Sequence, residues 1–252
     1  MKVVIGCCGW GFFRPKLYFG KEWKSRFKST LQAYASLFDL VEVNSTFYKL
    51  PKAKTAERWK EEAREANEDF SFTVKCSRVV THEDRFATKQ SKEAFEATVK
   101  IAKALDSNLL LLQTPASFKC ESKSVKNLRS FLRWVRRRFK NLIIAWEPRG
   151  KSWVENESVA LSICKEFDLI HCVDPFRDEP LYFSKKKIAY LRLHGMGKPS
   201  MYNYKFTKND MKKLGNFLLS LKKEKVKLAY VLFNNIYMYE DALSFKQSLK
   251  KL

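Results

Sequence analysis

Eight short runs rich in Val, Ile, Leu and Phe recur along this chain, and that recurrence restricts the fold more than any other feature. They are "KVVIGCCGW" from residue 2, "DLVEVNSTF" from 39, "FSFTVKC" from 70, "SNLLLLQTP" from 107, "NLIIAWEP" from 141, "DLIHCVDPF" from 168, "IAYLRLHG" from 188 and "LAYVLFNN" from 228. Most are separated by segments with helical patterning, such as 91–106 and 207–224. The second of these opens with Thr207 and reaches Asp210 three residues on, a capping-box-like start. Strand followed by helix, repeated, predicts a parallel sheet, and eight such strands close most economically into an α/β (β/α)8 TIM barrel. An open doubly wound sheet is the alternative, but no Gly-rich phosphate loop follows the first run to support it.

A length of 252 residues with 45% hydrophobic content suffices for one substantial core. No composition break, linker or short repeat divides the chain, so residues 1–252 are read as one domain. Residues 10–30 are the most irregular part, aromatic and basic, and read as a loop and short helix lying over one end of the barrel.

In such a barrel the C-terminal strand ends point at the mouth where active sites form, so polar residues there call for a functional explanation. The second run ends in Glu42 and Asn44, the third in Lys75, the fourth in Gln113, and the fifth in Glu147 and Arg149. The sixth ends in Asp174, the seventh in Arg192 and His194, and the eighth in Asn234 and Asn235. Several pairs sit at i, i+2, which keeps two side chains on one face of a strand. A single pair such as Glu147 with Arg149 is as readily a structural ion pair. Seven polar strand ends together argue for a built site.

The chain carries 49 Lys plus Arg against 27 Asp plus Glu, a formal net charge of +22. Such a field favours polyanions, with nucleic acid as the first partner class, DNA before RNA, and an anionic membrane surface as the second. No run reaches the ~18 apolar residues of a membrane span, and the opening strand is too short and wrongly flanked for a signal peptide. Six scattered cysteines form no C-x-x-C pair. A soluble cytoplasmic protein is expected, with no membrane partner.

The runs "IGCCGW", "VEVNSTFYKLP" (41–51), "FTVKCSRVVTH" (72–82), "LLQTPASF" (111–118), "WEPRGKSW" (146–153), "YLRLHG" (190–195) and "FNN" (233–235) together resemble the YecE-like family, also called domain of unknown function 72. The resemblance spans nearly the whole chain and implies a TIM barrel. It further implies a likeness to endonuclease IV-type repair barrels and a role in DNA binding or repair. Two departures stand out. Cys7 and Cys8 replace the family's usual small hydroxyl residues, and Pro148 separates Glu147 from Arg149 where an apolar residue is more usual.

Metal-dependent phosphodiester hydrolysis needs crowded His and carboxylate ligands. His82, His171 and His194 with Glu42, Glu147 and Asp174 suffice for one divalent metal or two, but not for a His-rich trinuclear centre; His171 is expected to face core or helix. Without a metal, Arg149 and Arg192 can clamp a phosphate or carboxylate, with Glu147 as general base and His194 as general acid. Lys75 reads either as an amine for Schiff-base chemistry or, the favoured reading, as an ion-pair partner of Glu42 or Glu147. Asn44, Gln113, Asn234, Asn235, His82, Trp10, Tyr48 and Trp153 are candidate substrate contacts. Trp10, Phe12, Phe13, Tyr18 and Trp23 interleave with Arg14, Lys16, Lys21, Lys24 and Arg26, a pattern that can stack bases and neutralise phosphates, or simply pack the loop down. The runs "RWVRRRFK" (133–140) and "KKEKVK" (222–227) read as solvated helix faces away from the mouth. The leading expectation is an enzyme acting on nucleic acid, a phosphodiester- or lesion-directed repair nuclease or lyase. The alternatives are an enzyme on a small anionic metabolite such as a sugar phosphate, and a nucleic-acid-binding protein without catalysis.

Overall fold

A computed structural model describes residues 1–249. All eight runs form strands: β1 Lys2–Cys7, β2 Leu40–Val43, β3 Ser71–Lys75, β4 Leu109–Thr114, β5 Ile143–Pro148, β6 Ile170–His171, β7 Ile188–Leu193 and β8 Leu228–Phe233. They pair in parallel in the order β6-β5-β4-β3-β2-β1-β8-β7. A parallel bridge from Val173 to Leu191 joins the two ends, with the Arg192 amide donating to the Val173 carbonyl at 2.9 Å. The result is the expected α/β barrel.

Among the described residues eleven helices surround it: α1 Pro15–Phe19, α2 Trp23–Arg26, α3 Thr30–Ala35, α4 Ser45–Tyr48, α5 Ala53–Ala66, α6 Lys89–Ala104, α7 Ser122–Arg138, α8 Lys151–Val154, α9 Glu157–Phe167, α10 Lys208–Lys223 and α11 Met238–Leu249, with a π-helical turn at Val79–Glu83. In α7 the buried residues Leu128, Phe131, Leu132 and Val135 fall at i, i+3, i+4 and i+7, the single stripe that seats a helix on a sheet. At the start of α10 the reciprocal capping box between Thr207 and Asp210 is present. Among the described residues no helix joins β6 to β7, so residues 172–187 cross as an irregular segment, touching back through an antiparallel bridge from Ile170 to Phe183.

Strand alternation gives the core two layers. One face of the strands packs on the helices; the other fills the barrel with Val4, Leu40, Leu109, Leu111, Ala145, Ile170, Ile188, Tyr190 and Leu232. Positions of that inward parity nearest the C-terminal strand ends are the polar residues singled out above. Between β1 and β2 the backbones come so close that a Cβ on Gly6 would lie 1.9 Å from the Leu40 carbonyl oxygen. Beside this contact the Tyr34 hydroxyl accepts from the Cys7 amide at 2.8 Å and donates to that same carbonyl at 2.7 Å. Gly6→Ala must therefore push β1 and β2 apart within a closed barrel. A loss of about 3 kcal/mol, the upper end for overpacking, is expected in urea denaturation, and an unchanged midpoint would show that the seam yields.

The segment 10–30 holds α1 and α2 and is packed down by its aromatics. Phe13 stacks on Tyr18 with centroids 4.9 Å apart and meets Tyr34 and Tyr239 edge-on, while Trp10 meets Trp59 edge-on at 5.0 Å. The basic run on α7 is more engaged than a solvated face. Arg136 donates to the carbonyls of Leu142, Phe167 and Asp168, and Arg129 and Arg133 both pair with Glu166.

Candidate active site

The floor of the barrel mouth is one guanidinium. Arg192 on β7 is only 1% exposed and reaches across the lumen to two carboxylates. Its Nε and one terminal nitrogen donate to Glu42 Oε2 and Oε1 at 3.1 and 2.8 Å, and the other terminal nitrogen donates to Glu147 Oε2 at 2.6 Å. Tyr190, two residues earlier and facing the same way, donates to Glu42 Oε2 at 2.8 Å and shares a 2.7 Å hydrogen bond with Thr73. Every nitrogen of Arg192 is thus engaged, so it cannot clamp a substrate as the sequence suggested. It builds the floor instead.

From Glu147 the chain of contacts climbs toward solvent. Arg149 Nε donates to Glu147 Oε1 at 2.6 Å, one terminal nitrogen lies 2.9 Å from His194 Nε2, and the other lies 3.3 Å from the Tyr202 hydroxyl. His194 Nδ1 lies 3.2 Å from Asp174 Oδ2, which also accepts the His194 backbone amide at 2.9 Å. A guanidinium only donates, so His194 Nε2 accepts from Arg149 and Nδ1 carries the proton toward Asp174. Burial by itself would raise the Glu147 carboxyl, but the charges of Arg192 and Arg149 outweigh it and hold it well below the usual carboxylate range.

Lys75 ends β3 on the same inward face. It forms no ion pair or hydrogen bond among the described residues, which corrects the expectation that it pairs with Glu42 or Glu147; both acids are occupied by arginines. Its ammonium lies 4.1 Å from the centroid of the Phe47 ring. Burial, then the charge of Arg192, lower its pKa to about 8, against a smaller opposite pull from Glu42 and Glu147.

The remaining candidates divide. Asn44 donates to the Cys8 carbonyl at 2.9 Å and ties β2 to β1; Gln113 is buried and donates to the neighbouring Thr114 carbonyl at 3.3 Å. Asn235 donates to the Tyr204 carbonyl and Asp241, each at 2.7 Å, and with Asn234, Cys8, Arg14 and Tyr202 it lines a cavity of about 570 Å³. The indole of Trp153 donates to the Phe118 carbonyl at 2.6 Å and packs on Trp146, which makes it a support of the β5 loop. His82 is bonded to Thr81 and packed on Phe47; burial, then the charge of Lys75, push its pKa down to about 4. His171 accepts the Leu181 amide at 3.1 Å and faces outward, as the sequence suggested. Trp10 packs on Trp59, while Tyr48 stands 75% exposed on the rim. Cys7 and Cys8 are buried, and burial pushes both thiols up, which disfavours the thiolate that a nucleophile needs.

Sequence reasoning missed Tyr190, Thr73, Tyr202 and Arg177. Tyr190 shares the i, i+2 spacing of Arg192 and His194 and was findable by it; Tyr202 and Arg177 come from loops that carry no such period. Arg177 joins Glu147, Arg149, Asp174 and His194 around a cavity of about 270 Å³ on the β5–β6 side.

A divalent metal does not fit this donor set. Each oxygen of Glu42 and Glu147 faces an arginine nitrogen, and among the described residues no three His, Cys, Asp or Glu side chains are grouped to hold an ion. Among the same residues no helix is long and apolar enough to cross a membrane.

With this geometry in hand, comparison with known proteins places the chain. The UPF0759 protein YunF of Bacillus subtilis is 28% identical over 287 residues, covering 99% of this chain and 94% of its own length. The structure of a DUF72 family protein from Thermotoga maritima is 26% identical, with a TM-score of 0.75 and coverage of 99% of this chain and 100% of the other. A second, from Enterococcus faecalis, is 23% identical with a TM-score of 0.74, covering 99% and 98%. The model of a protein family of unknown function, DUF72, matches residues 4–252, and the chain belongs to that family.

Proposed function

We propose that the protein is a metal-independent acid–base enzyme that takes a small anionic compound at the barrel mouth. The buried chain Glu42, Arg192, Glu147, Arg149, His194 and Asp174, running from the sealed floor to solvent, carries this reading. A carboxylate held as an anion by two arginines is a weak base, so Glu147 serves to orient Arg149, and the proton-transfer role passes to His194. Asp174 holds Nδ1–H and would stabilise the imidazolium. Arg149 and Arg177, both partly exposed, are the cations available to a phosphate or carboxylate. An anion that draws Arg149 toward itself would release the His194 Nε2 lone pair as the base.

The test is incubation with a panel of phosphorylated and carboxylated metabolites, followed by mass spectrometry of the products. One compound is expected to be consumed, and His194→Gln to slow its turnover about 100-fold or more. Equal turnover in the variant, or no compound bound or consumed, would sink the reading.

One observation favours a second reading, a nucleic-acid partner. Phe12, Leu17, Tyr48, Ile236 and Tyr237 are exposed on the mouth loops, with Arg14, Lys16, Lys49 and Lys205 among them and the Lys205 ammonium 5.7 Å from the Tyr237 ring centroid. Aromatic faces with neighbouring cations suit single-stranded DNA or RNA. This reading requires oligonucleotide binding at ~0.15 M salt that weakens steeply as salt rises. A lesion-directed lyase would unite the two readings, whereas a metal-dependent nuclease has no ligand set here.

A further inference from the structure

We infer that Lys75 is a covalent catalyst: its side-chain amine forms an imine with a carbonyl compound at the barrel mouth. This deepens the reading of the mouth as an enzyme site and rests on it. Four observations support it. Lys75 sits at the C-terminal end of β3 with its side chain on the lumen face, two residues above Thr73 in the floor. The carboxylates that would otherwise neutralise it are bound by arginines, and among the described residues it has no hydrogen-bond or ion-pair partner. A structural buried lysine normally has such a partner, because an unpaired charge removed from water is costly. Its ammonium rests instead on the Phe47 ring, which tolerates a cation yet forms no bond that attack would have to break.

The surroundings favour the neutral amine. Burial disfavours the ammonium most, and repulsion from Arg192 and Arg149 adds to it, leaving a pKa of about 8 against an ordinary 10.5. Glu42 and Glu147 pull the other way without overcoming this. At pH 7 such an amine is neutral about 300 times more often than an ordinary lysine. The same arrangement activates lysines in general when they are desolvated beside other cations.

The step balances simply. The ammonium releases a proton; the Nζ lone pair attacks the carbonyl carbon, and the C=O π pair moves to oxygen, which is protonated to a carbinolamine. The nitrogen lone pair then expels that oxygen as water, leaving a protonated imine. One ammonium and one carbonyl give one iminium and one water, with charge conserved and no oxidation or reduction. The iminium draws electrons from the neighbouring carbon, so a proton on that carbon is lost more easily.

Formaldehyde tests this without knowledge of the natural substrate, because it needs no recognition. The whole wild-type protein is treated at pH 7 with trace formaldehyde and cyanoborohydride, which reduces an imine to a methylated amine, and each lysine is followed by peptide mass spectrometry. Lys75 is expected to be methylated at least about tenfold faster than the exposed Lys16 and Lys123, an allowance below the ~300-fold excess of neutral amine for its reduced access. Its rate should level off above pH 8, while theirs keeps rising. Any smaller ratio overturns the proposal. Because the readout needs no turnover, a failure here alongside a His194→Gln effect on the metabolite panel would remove the imine and leave the acid–base site standing.

Discussion

Arg192→Met is expected to cost about 3–5 kcal/mol of folding stability, the range for breaking a buried ion pair by removing one partner. The cost comes less from the lost attraction than from what remains. Glu42 is fully buried, and without Arg192 it keeps the Tyr190 hydroxyl but no cation bonded to it among the described residues, while Glu147 loses one of its two guanidinium partners. A carboxylate left unpaired in a buried site is disfavoured as an anion and favoured when protonated. The variant's stability should then fall as pH rises through the carboxylate range and recover in part near pH 5. Adding Glu42→Gln should restore a large share at neutral pH, since it removes the stranded charge. Urea unfolding of the single and double variants at pH 5 and pH 7 measures all of this. A loss below about 1 kcal/mol would mean that water reaches the floor.

A few ångströms higher the sign reverses, and Lys75→Met is expected to stabilise the protein by about 1–3 kcal/mol at pH 7. A lowered lysine pKa means the fold disfavours the ammonium. Below about pH 8 the wild type bears that penalty in full, because folded and unfolded chains are both protonated. Between about pH 8 and the unfolded value of 10.5 the unfolded chain holds more protons, so wild-type stability rises with pH. The methionine variant has no such rise, and its advantage should shrink through that window and vanish above it. The shift of 2.5 from 10.5 to about 8 sets the ceiling on the effect. A pH-independent difference would show that the lysine is hydrated in the fold. Tolerating a destabilising residue at a strand end is what function at the expense of stability looks like.

The barrel was legible because each strand carries its own signal, an apolar run bounded by a change of period. The inward direction of Glu42, Lys75, Glu147, Arg192 and His194 was legible for the same reason, since alternation fixes the face once the strand is located. Partnership was not legible. Glu42 and Arg192 are 150 residues apart and meet across the lumen because of the stagger between β2 and β7, which no local pattern records. That is why the sequence directs Lys75 to a carboxylate that Arg192 already holds. Asn235 illustrates the other limit: it lies beyond the last residue of β8, where alternation no longer fixes a face, and the boundary is the least legible stretch of any element. Neither the brevity of β6 nor the absence, among the described residues, of a helix after it was legible.

The closed floor has a consequence for handedness. With Thr73, Tyr190, Glu42 and Arg192 sealing the barrel below Lys75, and Phe47 against its side chain, the mouth is open in one direction only. A flat, three-connected carbon held there would have one side covered by the aromatic wall, so a hydrogen could arrive only from the other. The chirality of whatever leaves this mouth would then be decided by a ring that takes no part in the bonds made or broken.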